Sequence, residues 1–224
     1  MKAKIDFMSR ITLSPATNSF FLVGAVMLTT VTTALAFIVW GRSNQWQLLQ
    51  LSWYQLFPLL GLLAFSIMWS QYMVEAAQNL THRPDAVTRY FKITSWLVLL
   101  AIVLHPGLLI VQRYKDGYGL PPHSYETYVA PMKAWLTILG SASLLMFLAF
   151  EFKRFFGKYS WWKFVLILND IAIVAIFYHG LRLGTQLQQG WFQYVWYFYG
   201  ITLLAALSYK YYLKLRQHLR TNPA

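Results

Sequence analysis

The sequence predicts an all-α integral membrane protein, a bundle of six transmembrane helices that makes one domain of residues 1–224, with its N-terminus and C-terminus on the cytoplasmic side. Three observations carry this. Hydrophobic residues are 58% of the chain and charged residues 12%, with a mean hydropathy of +0.43, a balance that suits lipid better than water. Apolar runs of the roughly 20 helical residues needed to cross a hydrocarbon core of about 30 Å occupy most of the chain. The basic residues fall mainly on one side of those runs, 14 of 19, leaving five on the other (Arg42, Arg113, Lys115, Lys133 and Arg182), as the positive-inside rule describes.

The first run, at about 19–40, contains "TALAF", where Ala34 and Ala36 imitate a signal-peptidase site. Its length exceeds a signal core of about 7–15 residues, and its loss would leave an odd number of spans, so it is expected to stay as the first helix. The second, third and fourth runs lie at about 54–75, 91–112 and 133–152, and the fifth and sixth at 161–181 and 191–212. The longest connection, about 113–132, is too short for a soluble domain of even ~50 residues. Trp40, Trp46, Trp53 and Trp191 fall near the outer interface and Trp161 and Trp162 near the inner one, as an aromatic belt. The net charge of +12 thus reports topology, not nucleic acid, and a bacterial-type plasma (inner) membrane is the expected location. With no cysteine there is no disulfide, thiolate metal site or iron–sulfur cluster. "GYGLPP" at 117–122 lacks the third glycine of a dinucleotide loop.

Two runs carry a histidine. His105 lies 16 residues beyond the inner flanking Arg89, and His179 lies 16 beyond Lys163, so each is roughly 24 Å along its helix from an inner charge. Both spans run outward, which puts the two imidazoles at one depth in the outer half of the membrane. A polar side chain there faces the bundle interior and is a functional candidate. Two opposed imidazoles in an apolar slot suit the iron of one b-type haem, which takes two axial nitrogens; zinc or copper would need further ligands at that level. The competing reading is that each ring only hydrogen-bonds a nearby carbonyl. Thr94, Val98 and Ala101 share a face with His105, and Leu168, Ala172 and Ala175 share one with His179, mostly small enough for a flat macrocycle or for close helix approach. Arg182, three residues after His179, is placed to pair with a haem propionate or to snorkel. Pro106 frees the carbonyl of Ile102 and favours a kink beside His105.

"RYFKITSWLVLLAIVLHPGLL" and "WWKFVLILNDIAIVAIFYHGLRLG" together resemble the third and fifth helices of the ferric reductase-like transmembrane domain. That six-helix haem module occurs in ferric reductases, NADPH oxidases, STEAP metalloreductases and the haem subunit of the methionine sulfoxide reductase system. The resemblance covers roughly 55–205. It implies that His105 and His179 are the axial ligands of one haem b and that electrons pass toward an outer-side acceptor. Two-haem members have a second histidine 13 or 14 residues earlier on each helix, where this chain has Phe91 or Lys92 and Val165 or Leu166, so an inner haem is not expected. By the same resemblance a flavin, FMN or FAD, on the cytoplasmic side stands in for it, and the electron donor is a separate reductase, a flavin or a quinol. The alternatives are a haem-free small permease or assembly subunit and a quinol-oxidising cytochrome.

Asp170, beside Asn169, is read as an interhelical hydrogen-bonding group or as part of a proton or quinone path. His123 is read as a surface residue of the outer loop, and His82 and His218 as surface residues of the inner side. Glu75 and Glu151 are expected as solvated or paired carboxylates at inner helix ends. No carboxylate pair, nucleophile–base pair or metal cluster for hydrolytic chemistry is evident.

Overall fold

A computed structural model describes residues 15–81, 87–151 and 157–221. Six long helices dominate: α1 (Pro15–Ser43), α2 (Trp53–Thr81), α3 (Thr88–Lys115), α4 (Ala134–Glu151), α5 (Trp162–Leu183) and α6 (Trp191–Thr221). The described connections hold only a four-residue helix, His123–Glu126, and single 3-10 turns, and no strand occurs among the described residues. Backbone polar groups in lipid have no water to bond, and helices satisfy them internally.

Five helices, α1 to α5, are long and apolar enough to cross a membrane, which makes the chain a multi-pass membrane protein. α6 is longer still, at 31 residues, but tyrosines and lysines dilute its apolar character. Its first half exposes Tyr194, Phe198, Ile201 and Leu204, and its last turns expose Lys214, Arg216 and Arg220.

α2 is the centre of the bundle. Half of its most apolar window is buried, against 17 to 22% for the other four spans, and it packs on α1, α3 and α6. α4 and α5 form a second closely packed pair. Aromatic rings join α2 to α6: Phe65 against Trp196 at 4.3 Å and Trp69 against Tyr199 at 4.4 Å between centroids. Trp69 also donates to the Tyr199 carbonyl (3.1 Å) and the Thr202 hydroxyl (3.0 Å).

The turns after α1, α3 and α5 meet at one end of the bundle, the long-loop end. There Tyr54 donates to Asp116, Gln186 donates to Ser43, and the Tyr54 and Tyr128 rings stack at 6.2 Å. The side chain of Glu151, and His82 with its neighbours, lie outside the described residues.

Candidate functional site

His105 and His179 sit near the long-loop ends of α3 and α5, and both line the same cavity. Each ring docks on the helix that precedes its own. His105 Nδ1 is 2.6 Å from the carbonyl oxygen of Phe57 on α2, and His179 Nδ1 is 2.8 Å from that of Leu136 on α4. A carbonyl only accepts, so Nδ1 carries the proton in both rings and Nε2 keeps a bare lone pair. Among the described residues neither Nε2 makes a hydrogen bond.

Glycine makes this docking possible, four residues after each acceptor carbonyl. A Cβ at Gly61 would stand 2.8 Å from His105 Cε1, and one at Gly140 would stand 2.8 Å from His179 Cε1. Any side chain at either position would push the imidazole away. The two helix pairs, α2 with α3 and α4 with α5, therefore hold their histidines by the same device: a backbone acceptor, then a missing Cβ one turn later. The spacing recurs in "FPLLG" at 57–61 and "LTILG" at 136–140. A carbonyl carries no side-chain signature, and these glycines are the only trace that the sequence holds.

The cavity measures about 230 Å³, within a region of about 1360 Å³ that holds no protein atoms and includes open space at its mouth. Its walls are mainly apolar: Phe65, Ile102, Leu109, Leu144, Phe147 and Ile176. An apolar cavity with two convergent polar groups is the usual form of a cofactor site. No group of three or more His, Cys, Asp or Glu residues is gathered for a metal ion among the described residues; the two imidazoles line the cavity together with Met68, Tyr125 and Tyr128.

The other residues singled out from the sequence are distributed as follows. Pro106 lines the cavity beside His105, within a continuous helix. Thr94, Val98 and Ala101 are buried, but against neighbouring helices; Thr94, for example, accepts a hydrogen bond from Gln71 at 2.8 Å. Ala175 lines a separate open apolar cleft between α4, α5 and α6, and Leu168 is exposed. Arg182 is exposed at the end of α5 and is not part of the cavity wall, while its carbonyl accepts from Gln188 at 3.0 Å. His123 is exposed and lies 3.8 Å from Glu126. His218 lies on the exposed face of the last turns of α6.

Asp170 is 4% exposed and ties three helices together. It accepts from Tyr72 of α2 at 2.8 Å and from Tyr211 of α6 at 2.9 Å, and it pairs with Lys210 of α6 at 3.1 Å. Lys210 also reaches Glu75 at 3.6 Å. Asp170 is nine residues from His179, roughly 13 Å along α5, so this cluster is a separate interhelical clamp.

Arg113 is the residue that the sequence disguises most. Read from the chain it is a topology marker, yet it is buried, under the long loop that follows α3. Its guanidinium donates to Thr127 and lies against the rings of Tyr118 and Tyr128. Burial raises the Tyr128 phenol above its ordinary pKa, with Tyr54 adding to the effect and Arg113 opposing it. Compared with protein-family models, curated proteins and solved structures, the chain matches none.

Proposed function

We propose that the chain is a membrane haem b protein of the ferric reductase-like kind, in which His105 and His179 hold one haem and electrons pass toward an acceptor on the outer side. One observation carries the reading: two imidazoles from different helices face one apolar cavity, each with Nδ1–H fixed on a backbone carbonyl and Nε2 left bare. A metal-ligating histidine is characteristically oriented in this way, with its other ring nitrogen donating to a fixed acceptor that sets the tautomer and raises the basicity of the ligand.

A b-type haem, when bound, supplies one-electron chemistry at its iron. The protein's own part is to fix the two ligands, to keep water from the apolar walls, and to hold the rings at a set separation. Gly61 and Gly140 fix ring position, and the Phe57 and Leu136 carbonyls fix ring orientation. In this reading α6 is the sixth span, the long-loop end is the outer side, and both termini are cytoplasmic. The electron donor is a separate protein, a flavin at the cytoplasmic side, or a quinol.

The haem-free alternative, in which both histidines serve helix packing, draws on the same carbonyl bonds. The test is the dithionite-reduced minus oxidised absorption spectrum of the detergent-purified protein beside His105→Ala and His179→Ala. A low-spin b-type spectrum in the wild type that is lost in both variants supports the proposal. Folded protein without haem from haem-replete cells refutes it in favour of the packing role.

A further inference from the structure

The long-loop end of the histidine cavity is covered by a segment that gains little from its own burial. Tyr125, Tyr128 and Val129, all from the connection between α3 and α4, form part of the cavity wall. Yet within residues 116–133 only Ser124 is buried, and Leu120, Tyr128 and Met132 are exposed. A segment that removes so little apolar surface from water opens at low cost unless specific contacts tie it down. Its near end turns at Gly117 and Gly119, whose φ angles of +84° and +74° lie in the left-handed region that glycine enters freely.

Arg113, buried in the last turn of α3, holds this segment at three points. Its guanidinium donates to Thr127, and the guanidinium carbon lies 3.5 Å from the Tyr118 ring centroid and 5.7 Å from that of Tyr128. On the bundle side it also hydrogen-bonds Tyr54 of α2, whose hydroxyl donates to Asp116. Tyr54 in turn stacks on Tyr128 at 6.2 Å. A guanidinium has a planar fork for hydrogen bonds and flat faces for rings, so one side chain serves all of these contacts. It therefore clips Tyr118, near the start of the segment, and Thr127 and Tyr128, near its end, to the α2–α3 pair. The tie across the cavity to α4, from Tyr125 to Ser141, is long by contrast, at 3.5 Å.

We infer that residues 116–133 are a lid over the histidine cavity and that Arg113 is its latch. When the contacts of Arg113 with Tyr118, Thr127 and Tyr128 break, the segment lifts. The wall made by Tyr125, Tyr128 and Val129 goes with it, and the cavity opens to water at the long-loop end. An occupant enters and leaves, or meets a soluble molecule, by this route. The inference does not depend on the haem reading, because it concerns access to the cavity and not what fills it.

The chain has no cysteine, so a single introduced thiol reports access without background. Full-length protein from haem-limited cells is purified in detergent as Ser141→Cys, on the cavity wall, and treated with a small cationic methanethiosulfonate, which reaches only thiols open to water. Ser141→Cys is expected to react more slowly than Lys115→Cys, at an exposed position. Arg113→Gln is expected to raise the Ser141→Cys rate by about 10- to 100-fold, the factor that matches loss of a charged hydrogen bond, and Thr127→Val is expected to raise it by less. Ser70→Cys, at a fully buried side chain between α1 and α2, is expected to stay unreactive throughout. An unchanged Ser141→Cys rate in the latch variants overturns the inference, and so does a rate equal to that of Lys115→Cys when the latch is intact. A parallel rise at Ser70→Cys also overturns it, because Arg113 then supports the whole bundle. If Arg113→Gln does not fold, Thr127→Val decides alone.

Discussion

Alanine at Gly61 or Gly140 tests whether the two imidazoles are held by backbone contact. A Cβ at Gly61 would stand 2.8 Å from Cε1 and 3.0 Å from Nδ1 of His105; at Gly140 the distances to Cε1 and Nδ1 of His179 are 2.8 and 2.9 Å. Ordinary carbon contacts are about 3.5–4.0 Å, so each ring must retreat by roughly 0.5–1 Å. The ring cannot retreat freely, because Nδ1 is bonded to a helix carbonyl on the same surface. Overpacking costs about 1–3 kcal/mol and the weakened hydrogen bond about 1 kcal/mol. Against this, Gly→Ala within a helix gains about 0.5–1 kcal/mol. The balance is a destabilisation of about 1–3 kcal/mol, and under the proposed haem reading each variant also weakens haem binding, because one of the two rings is displaced. Gly24 and Gly107 provide the control: both are helical, and nothing lies within 4 Å of an added Cβ, so alanine there should be neutral or mildly stabilising. Thermal unfolding in detergent, haem content and the ¹⁵N shifts of the two imidazoles are the readouts. If Gly61→Ala and Gly140→Ala melt like Gly24→Ala and Gly107→Ala and leave the Nδ1 signals unmoved, glycine-backed positioning is wrong.

Further outcomes are expected elsewhere. Asp170→Asn, which leaves Lys210 paired only with Glu75 at 3.6 Å, should destabilise the bundle by about 1–3 kcal/mol, and Asp170→Asn with Lys210→Met should cost less than the sum of the single changes; a double-mutant cycle on unfolding measures this, and additive losses would refute the clamp. Glu75→Gln should cost no more than about 1 kcal/mol, because its pair with Lys210 is partly in solvent. His123→Ala should leave both stability and any haem spectrum unchanged, since the side chain is 75% exposed; a spectral shift would give the loop a role at the cavity. The chain has no cysteine, so single-cysteine variants report topology directly: Lys115→Cys should react with an impermeant maleimide from outside intact cells, and Lys214→Cys only after the membrane is opened. The opposite pattern would invert the orientation.

The helices were legible because lipid makes every spanning helix declare itself as an apolar run. α2 to α6 begin within three residues of the runs seen in the sequence, and α6 outruns its apolar stretch to residue 221 because Lys214, Arg216 and Arg220 prolong a helix without adding hydrophobicity. The histidines were legible for the converse reason, as polar residues in apolar surroundings. Their supports were not. The acceptors are the carbonyls of Phe57 and Leu136, which every residue possesses, and only tertiary packing selects those two. The spacing of Thr94, Val98 and Ala101 correctly marked a buried face of α3, but spacing does not say whether a face meets a cavity or another helix. Arg113 and Arg182 look alike in sequence, each near the end of an outward span. Only the fold of residues 116–133 buries the one, while the other stays exposed.

The contrast between the two polar centres explains why backbone carbonyls suit the histidine site. A carboxylate could orient an imidazole equally well, but a buried carboxylate needs its own neutralisation: Asp170 is surrounded by two phenols and a lysine. A second such cluster beside the cavity would introduce charge where the apolar walls exclude it. A helix carbonyl already satisfied along its own helix has a second lone pair, accepts the imidazole proton, and adds no net charge. It is also fixed by the helix and not by a rotamer, so the orientation of His105 depends on the packing of α2 against α3, and that of His179 on α4 against α5. The separation of the two Nε2 atoms is then set by how these two helix pairs meet across the cavity. Substitutions at that meeting, at Phe65, Phe147 or Ile176, should alter the separation of the two imidazoles without touching either histidine.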